Sequence, residues 1–149
     1  MKADLHLHTQ ASDGLLTPEE LVKQCEQVGL TCISVTDHDT MQGSSQARTC
    51  LPPGMLLIRG VELSLKDMRG LHLLAYGFED APLIQEKLEQ LAAARMRRAE
   101  RMLQKLAALG ISLDAEALYQ GVSGTIGRLH IAEAMIQQGS VRSVSAAGG

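Results

Sequence analysis

The chain opens on strict alternation. Over residues 2–8, Asp4, His6 and His8 alternate with Leu5 and Leu7, the period-two pattern of a strand with one polar and one apolar face. Residues 9–16 (TQASDGLL) are polar and carry Asp13-Gly14 as a turn signal. The period then changes. Thr17-Pro18-Glu19-Glu20 is a helix start, with a threonine to cap, a proline at the first helical position and a glutamate to close a capping box. Leu21, Val22, Cys25 and Val28 follow at helical spacing, and Gly29 ends the stripe. Residues 31–36 (TCISVT) predict a second strand, and 42–50 a short helix stopped by Pro52-Pro53-Gly54. Residues 55–64 (MLLIRGVELS) predict a third strand, and 71–76 (LHLLAY) a fourth after a loop at 66–70.

From 82 to 109 the pattern is that of one long helix, ended by Gly110. Arg95, Arg97, Arg98 and Arg101 crowd its middle and read as a solvated face. The other reading of that cluster is charge offered to a polyanionic substrate. Asp114 starts a short helix, Gly121 and Gly124 break the chain, and residues 125–138 (TIGRLHIAEAMIQQ) predict a last helix before Gly139. The final SVRSVSAAGG is small and polar, as at a frayed or cut-off end. The expected organisation is an α/β body over 1–80, a helical insertion over 81–124, and a return to the body over 125–149. Strand–helix–strand–helix–strand order predicts parallel α/β pairing, a class in which ligands gather beyond the C-terminal strand ends. His6, His8, Asp37, His38 and Glu62 all fall near that edge.

Composition narrows the options. With 149 residues, 45% hydrophobic and 21% charged, the chain can build a core and is not of a disordered type. No apolar run reaches the roughly 20 residues of a membrane helix, and the first residues lack a signal-peptide pattern. The expected compartment is the cytoplasm, with no membrane partner. Cys25, Cys32 and Cys50 form no CxxC and read as reduced, buried thiols. A net charge of −3 gives no global pull on nucleic acid. One Phe, two Tyr and no Trp exclude a platform of stacking aromatics.

The candidate chemistry is metal chemistry. The possible ligands are His6, His8, Asp13, Asp37, His38, Asp39, Glu62, His72 and His130, which include all five histidines. Imidazoles with carboxylates and no thiolates suit Zn, Mn or Fe, and their wide spacing points to a catalytic cluster rather than a structural finger. Two cations roughly 3.5–4 Å apart can share a hydroxide nucleophile and clamp a phosphoryl oxygen. Glu62 is the carboxylate expected to bridge them. Competing readings stand beside four of these residues. His72 suits a hydrogen-bonded core position and His130 a packing position. Asp39 with Thr40 suits a helix cap, and Asp13 suits a turn.

Asp4-x-His6-x-His8-Thr9, Ser12-Asp13-Gly14, Thr36-Asp37-His38-Asp39 and Gly60-Val61-Glu62-Leu63-Ser64, in that order, resemble the PHP (polymerase and histidinol phosphatase) metallophosphoesterases. Gly127-Arg128-x-His130 resembles a further motif of that family that follows a helical insertion. The chain is most similar to small stand-alone members: nucleoside 3′,5′-bisphosphate phosphatases and 5′–3′ exonucleolytic RNA-trimming enzymes. The resemblance implies the N-terminal part of a distorted (β/α)7 barrel with a helical insertion. It also implies as many as three divalent metals, Mn, Zn or Fe.

By matching position, His6 and His8 would hold the first metal, Glu62 would bridge the first and second, and His72 and His130 would hold the second. Asp13 and His38 would hold a third. Asp4, and Asp37 with it, would support the ligands from behind, and Arg128 would meet a substrate phosphate. The implied substrate is a small phosphorylated nucleotide or a short RNA 5′ end. Family members have a further half with a late Asp-x-His pair, which this chain lacks. The expectation is therefore a truncated chain with open strand edges, covered by a homo-oligomer or domain swap. A metal-binding fragment without turnover is the second reading. A regulatory module of a larger polymerase is the third.

Overall fold

The computed structural model describes residues 1–65, 71–79, 82–120 and 126–144. The loop at 66–70, the breakers Gly121 and Gly124, and the last five residues lie outside them. Strand β1 (Ala3–Leu7), helix α1 (Pro18–Gln27), strand β2 (Cys32–Val35), helix α2 (Gln42–Thr49) and strand β3 (Leu56–Leu57) follow in order. The three strands form a parallel sheet in the order β1-β2-β3, as their alternation with helices requires. Cys25 and Cys32 are buried, and Cys50 is half-buried.

Helix α1 forms where the capping signals stand. The Glu20 N–H donates to Thr17 Oγ1, and the Thr17 N–H donates back to Glu20 Oε2 at 2.9 Å. Its far end turns at Gly29, whose φ of +76° suits a residue without a Cβ. The Gly29 and Leu30 N–H groups then reach the Glu26 and Cys25 carbonyls, the 5→2 and 6→1 bonds of a Schellman close. Leu21, Val22 and Cys25 of α1 pack with Ile33, Val35, Ala47 and Leu57 in one buried cluster. That cluster fixes the two helices on the sheet.

The predicted third strand is two strands. Leu56–Leu57 continues the parallel sheet, while β4 (Gly60–Ser64) pairs antiparallel with β5 (His72–Tyr76). The break falls at Ile58-Arg59. At Gly60 a Cβ would collide with the Ser34 hydroxyl and Thr36, so only glycine lets the strand pass this close to β2. Beyond the break, β4 touches the extension of β2 through a single bridge, His38 against Glu62. The Asp39 N–H donates to the Glu62 carbonyl at 3.0 Å. Glu62 thus stands just beyond the C-terminal end of β2.

The long helix α3 (Pro82–Ala108), the short α4 (Ala115–Gln120) and α5 (Arg128–Gln137) build a second cluster around Ala99, Ile126, Ile131 and Met135. Asp114 caps α4 by accepting the Ala117 N–H at 3.0 Å. No helix among the described residues is long and apolar enough to cross a membrane.

Candidate functional site

The segment after β1 is held from beneath by one carboxylate. Asp37, just past β2 and 1% exposed, accepts from the Thr9 N–H (2.8 Å), the Thr9 hydroxyl (2.7 Å) and the Ser12 hydroxyl (2.6 Å). Burial raises the pKa of this group, and the Ser12 and Thr9 hydrogen bonds oppose the rise. These bonds fold residues 9–13 back over the sheet and set Asp13 beside His8 and His38. Asp37 therefore supports the cluster from below. Asp4 accepts the backbone N–H of His6 at 3.1 Å.

Four imidazoles converge on Glu62. Its Oε2 lies 3.0 Å from His6 Nε2, 3.1 Å from His8 Nε2 and 3.6 Å from His38 Nδ1. Its Oε1 lies 2.6 Å from His72 Nδ1. Asp13 forms a second centre, 3.2 Å from His8 Nδ1 and 3.3 Å from His38 Nε2. His8 and His38 thus each present one nitrogen to Glu62 and the other to Asp13. Three sets of potential ligand atoms result: His6, His8 and Glu62; His8, Asp13 and His38; and His38, Glu62 and His72. The rings crowd together, with the His38 and His72 centroids 4.6 Å apart and edge to face.

The donor set fits divalent cations. A tetrahedral site with metal–nitrogen bonds near 2.05 Å has ligand–ligand edges of roughly 3.3 Å, and the separations around Glu62 Oε2 bracket that value. His38 Nδ1 is buried and has no hydrogen-bond partner among the described residues. Such an orphaned nitrogen is costly unless something else occupies its lone pair.

Electrostatics favour anionic carboxylates here. Burial alone would raise the Asp13 pKa, yet the His38 and His8 hydrogen bonds and charges hold it far below the usual carboxylate range. For Glu62, burial again raises, and His6, His38, His72 and His8 together lower, with a net fall. Burial lowers the His8 pKa, but the hydrogen bond and charge of Asp13, then the charges of Glu62 and Asp37, raise it overall.

Two readings of the sequence change at the rim. Asp39 does not cap α2; Thr40 Oγ1 accepts the Gln42 N–H instead. Asp39 adopts a left-handed φ of +57° and turns its buried carboxylate to Ser64, accepting from its N–H and its hydroxyl at 2.7 Å each. The Arg cluster is not wholly a solvated face. Arg95 Nε donates to Asp39 Oδ2 at 3.0 Å, and its Nη2 donates to Ser64 Oγ at 2.7 Å. The helical spacing of Arg95 held no sign of this, because its partners lie 56 and 31 residues away. Ser64 and Asp39 do share the quoted motifs with Glu62 and His38, and that proximity was the available signal.

His130 stands apart from the three ligand sets. Its Nδ1 accepts the Gly127 N–H at 3.0 Å, at the start of α5. Burial lowers its pKa, against a raising field from Asp13 and Glu133. Arg128 lines the cleft that Asp13, His38 and His72 also line.

The PHP domain family pattern matches residues 4–106. A 5′-3′ exoribonuclease of Haemophilus influenzae is 34% identical over 143 residues, covering 94% of this chain and 52% of the relative. A 3′,5′-nucleoside bisphosphate phosphatase of Chromobacterium violaceum is 30% identical, covering 95% of this chain and 51% of the relative. Among solved structures, an amidohydrolase from Chromobacterium violaceum, with bound sulfate and no metal, superposes with a TM-score of 0.87 at 27% identity. It covers 97% of this chain and 53% of its own. A candidate metal-dependent phosphoesterase from Bifidobacterium adolescentis gives 0.82 at 30% identity, with the same two coverages of 97% and 53%. The chain spans about half the length of the curated relatives it matches.

Proposed function

The chain belongs to the PHP domain family, and on that premise we propose that it carries the metal-binding part of a phosphoesterase acting on nucleotide phosphates or short RNA 5′ ends. The observation that carries the reading is the division of the Glu62 carboxylate. One oxygen faces His6, His8 and His38, and the other faces His72, which is the placement of a bridging ligand.

His6, His8 and Glu62 would hold one cation, His38, Glu62 and His72 a second, and His8, Asp13 and His38 the donors of a third. Mn, Zn or Fe suits this donor set. When bound, such cations supply Lewis acidity at the phosphoryl oxygen and an activated water. Asp13 and Glu62, both with lowered pKa values, remain anionic across the working range. Arg128, lining the same cleft, offers a planar pair of donors to the reacting phosphate and stabilises the charge that develops there.

Elemental analysis of the purified chain, followed by hydrolysis assays on adenosine 3′,5′-bisphosphate and a 5′-phosphorylated oligoribonucleotide, tests this. Two or more equivalents of divalent metal with turnover are expected. Glu62→Gln should lower both metal content and rate, the latter by at least roughly 100-fold. Unchanged hydrolysis by Glu62→Gln would sink the reading. A metal-binding chain without turnover is the second reading, supported by its span of half the relatives' length. Full metal content without hydrolysis would decide for it.

A further inference from the structure

Asp39 grips β4 at two points. Its backbone N–H donates to the Glu62 carbonyl at 3.0 Å. Its carboxylate accepts from the N–H and the hydroxyl of Ser64 at 2.7 Å each. Glu62 and Ser64 stand two apart on one strand and so share a face. Asp39 also follows directly on His38, whose pairing with Glu62 is the bridge between the two segments. His38 and Glu62 belong together to one set of potential ligands, with His72. Their placement against each other therefore runs through Asp39.

Asp39 is itself held in an unfavourable state. Its φ of +57° lies in the left-handed region, which a residue with a Cβ keeps only where its surroundings over-determine it. Its side chain is 0% exposed, and among the described residues Arg95 is the cation paired with it, Nε to Oδ2 at 3.0 Å. Arg95 Nη2 donates to Ser64 Oγ, and Ser64 Oγ donates to Asp39 Oδ2, which closes a ring of three side chains. The remaining nitrogen, Nη1, lies 3.3 Å from where a Cβ on Gly127 would stand, so the start of α5 rests on the same group. Taking both charges out of water costs about what their attraction returns. The effect of the ring thus lies in direction more than in strength, and a guanidinium suits that task because its donors stand in fixed directions.

We propose that Arg95 is a positioning residue of the metal centre. From α3 it locks Asp39 and Ser64, and through them it sets His38 and Glu62 at ligand geometry. The proposal rests on the metal-binding reading above and extends it: a helix that supplies no ligand governs how tightly metal is held. Groups that orient ligands from behind typically change metal affinity 10–100-fold when removed. The coupling is reciprocal, so whatever Arg95 adds to metal affinity, bound metal adds to the docking of α3.

Zinc titrations of the full chain against a competing indicator test this. Arg95→Gln should weaken zinc binding at least ~10-fold, and Arg95→Lys should recover part of the loss. Leu103→Ala, on the same helix and packed in the second apolar cluster, should lower the urea midpoint yet leave zinc affinity within about twofold. Ser64→Ala keeps the ion pair and removes one member of the ring. This milder variant should lose at least about threefold in zinc affinity, and it decides the matter even where Arg95→Gln does not fold. Cobalt in place of zinc should show an altered visible absorption in Arg95→Gln and an unaltered one in Leu103→Ala. Wild-type zinc affinity in both Arg95→Gln and Ser64→Ala, or an equal loss in Leu103→Ala, would overturn the positioning role while Glu62→Gln still weakens binding. A wild type that takes up no zinc, or Glu62→Gln with unchanged affinity, would instead bring down the metal-binding reading and the positioning role with it.

Discussion

Position 43 shows how far one atom matters. A Cβ on Gly43 would run into the Asp37 carboxylate and the Thr9 hydroxyl, the bonds that place residues 9–13 beneath the cluster. Gly43 lies within α2, where alanine would otherwise be the better helix former. Gly43→Ala should therefore destabilise the chain by about 1–3 kcal/mol rather than stabilise it, read as a lower urea midpoint at unchanged m-value. A raised midpoint would show that α2 shifts freely and that Asp37 does not fix it. This contact was not legible in the sequence, where Asp37 stood as one more candidate beside His38. His6, His8, His38 and Glu62 were legible, because alternation and order alone bring them to one sheet edge. His38's orphaned Nδ1 and Asp39's left-handed turn depend on neighbours distant in the chain, and no local pattern announces them.

Among the elements, those with their own punctuation were readable. Helices α1 and α3 end at the predicted glycines, because a left-handed close needs a residue without a Cβ whatever surrounds it. The run 55–64 carried no such mark. Its bend at Ile58-Arg59 arises from how closely Gly60 passes Ser34 and Thr36, a tertiary cause. The long helix was readable, but its attachment was not. Arg95 ties α3 to β4 and to the end of β2 through Ser64 and the fully buried Asp39 side chain. Arg95→Ala leaves that carboxylate without its cation and should cost about 3 kcal/mol. Coupling to Asp39→Asn in a double-mutant cycle isolates the pair. Additive losses would mean that α3 is held by its apolar contacts alone.

Among the described residues there are two apolar clusters, one under the sheet and one among α3, α4 and α5, and the candidate ligands Asp13, His38 and His72 line a cleft together with residues of α3 and α5. Metal uptake should therefore stabilise the entire chain, by RT ln(1 + [L]/Kd). The effect should depend on pH with a definite sign. In the metal-free chain His8 has a raised pKa, so the stability from its protonated pair with Asp13 is fully present below the ordinary value of about 6.5 and fades as pH rises through the raised one. Metal needs the neutral ring, and its binding expels that proton. The Tm gain on adding zinc should be larger at pH 8 than at pH 6. Equal gains at the two pH values would remove His8 from the ligand set.

Glu62 stands 56 residues from His6 and 10 from His72 along the chain, and that separation sets an order in time. The helices need only near neighbours and can form within microseconds, whereas a site closed from both ends of so long a loop must wait for the parallel strands. During refolding with a metal indicator present, the far-ultraviolet helix signal should rise before any metal is captured. The interval between the two signals would measure how long the chain exists as helices without chemistry.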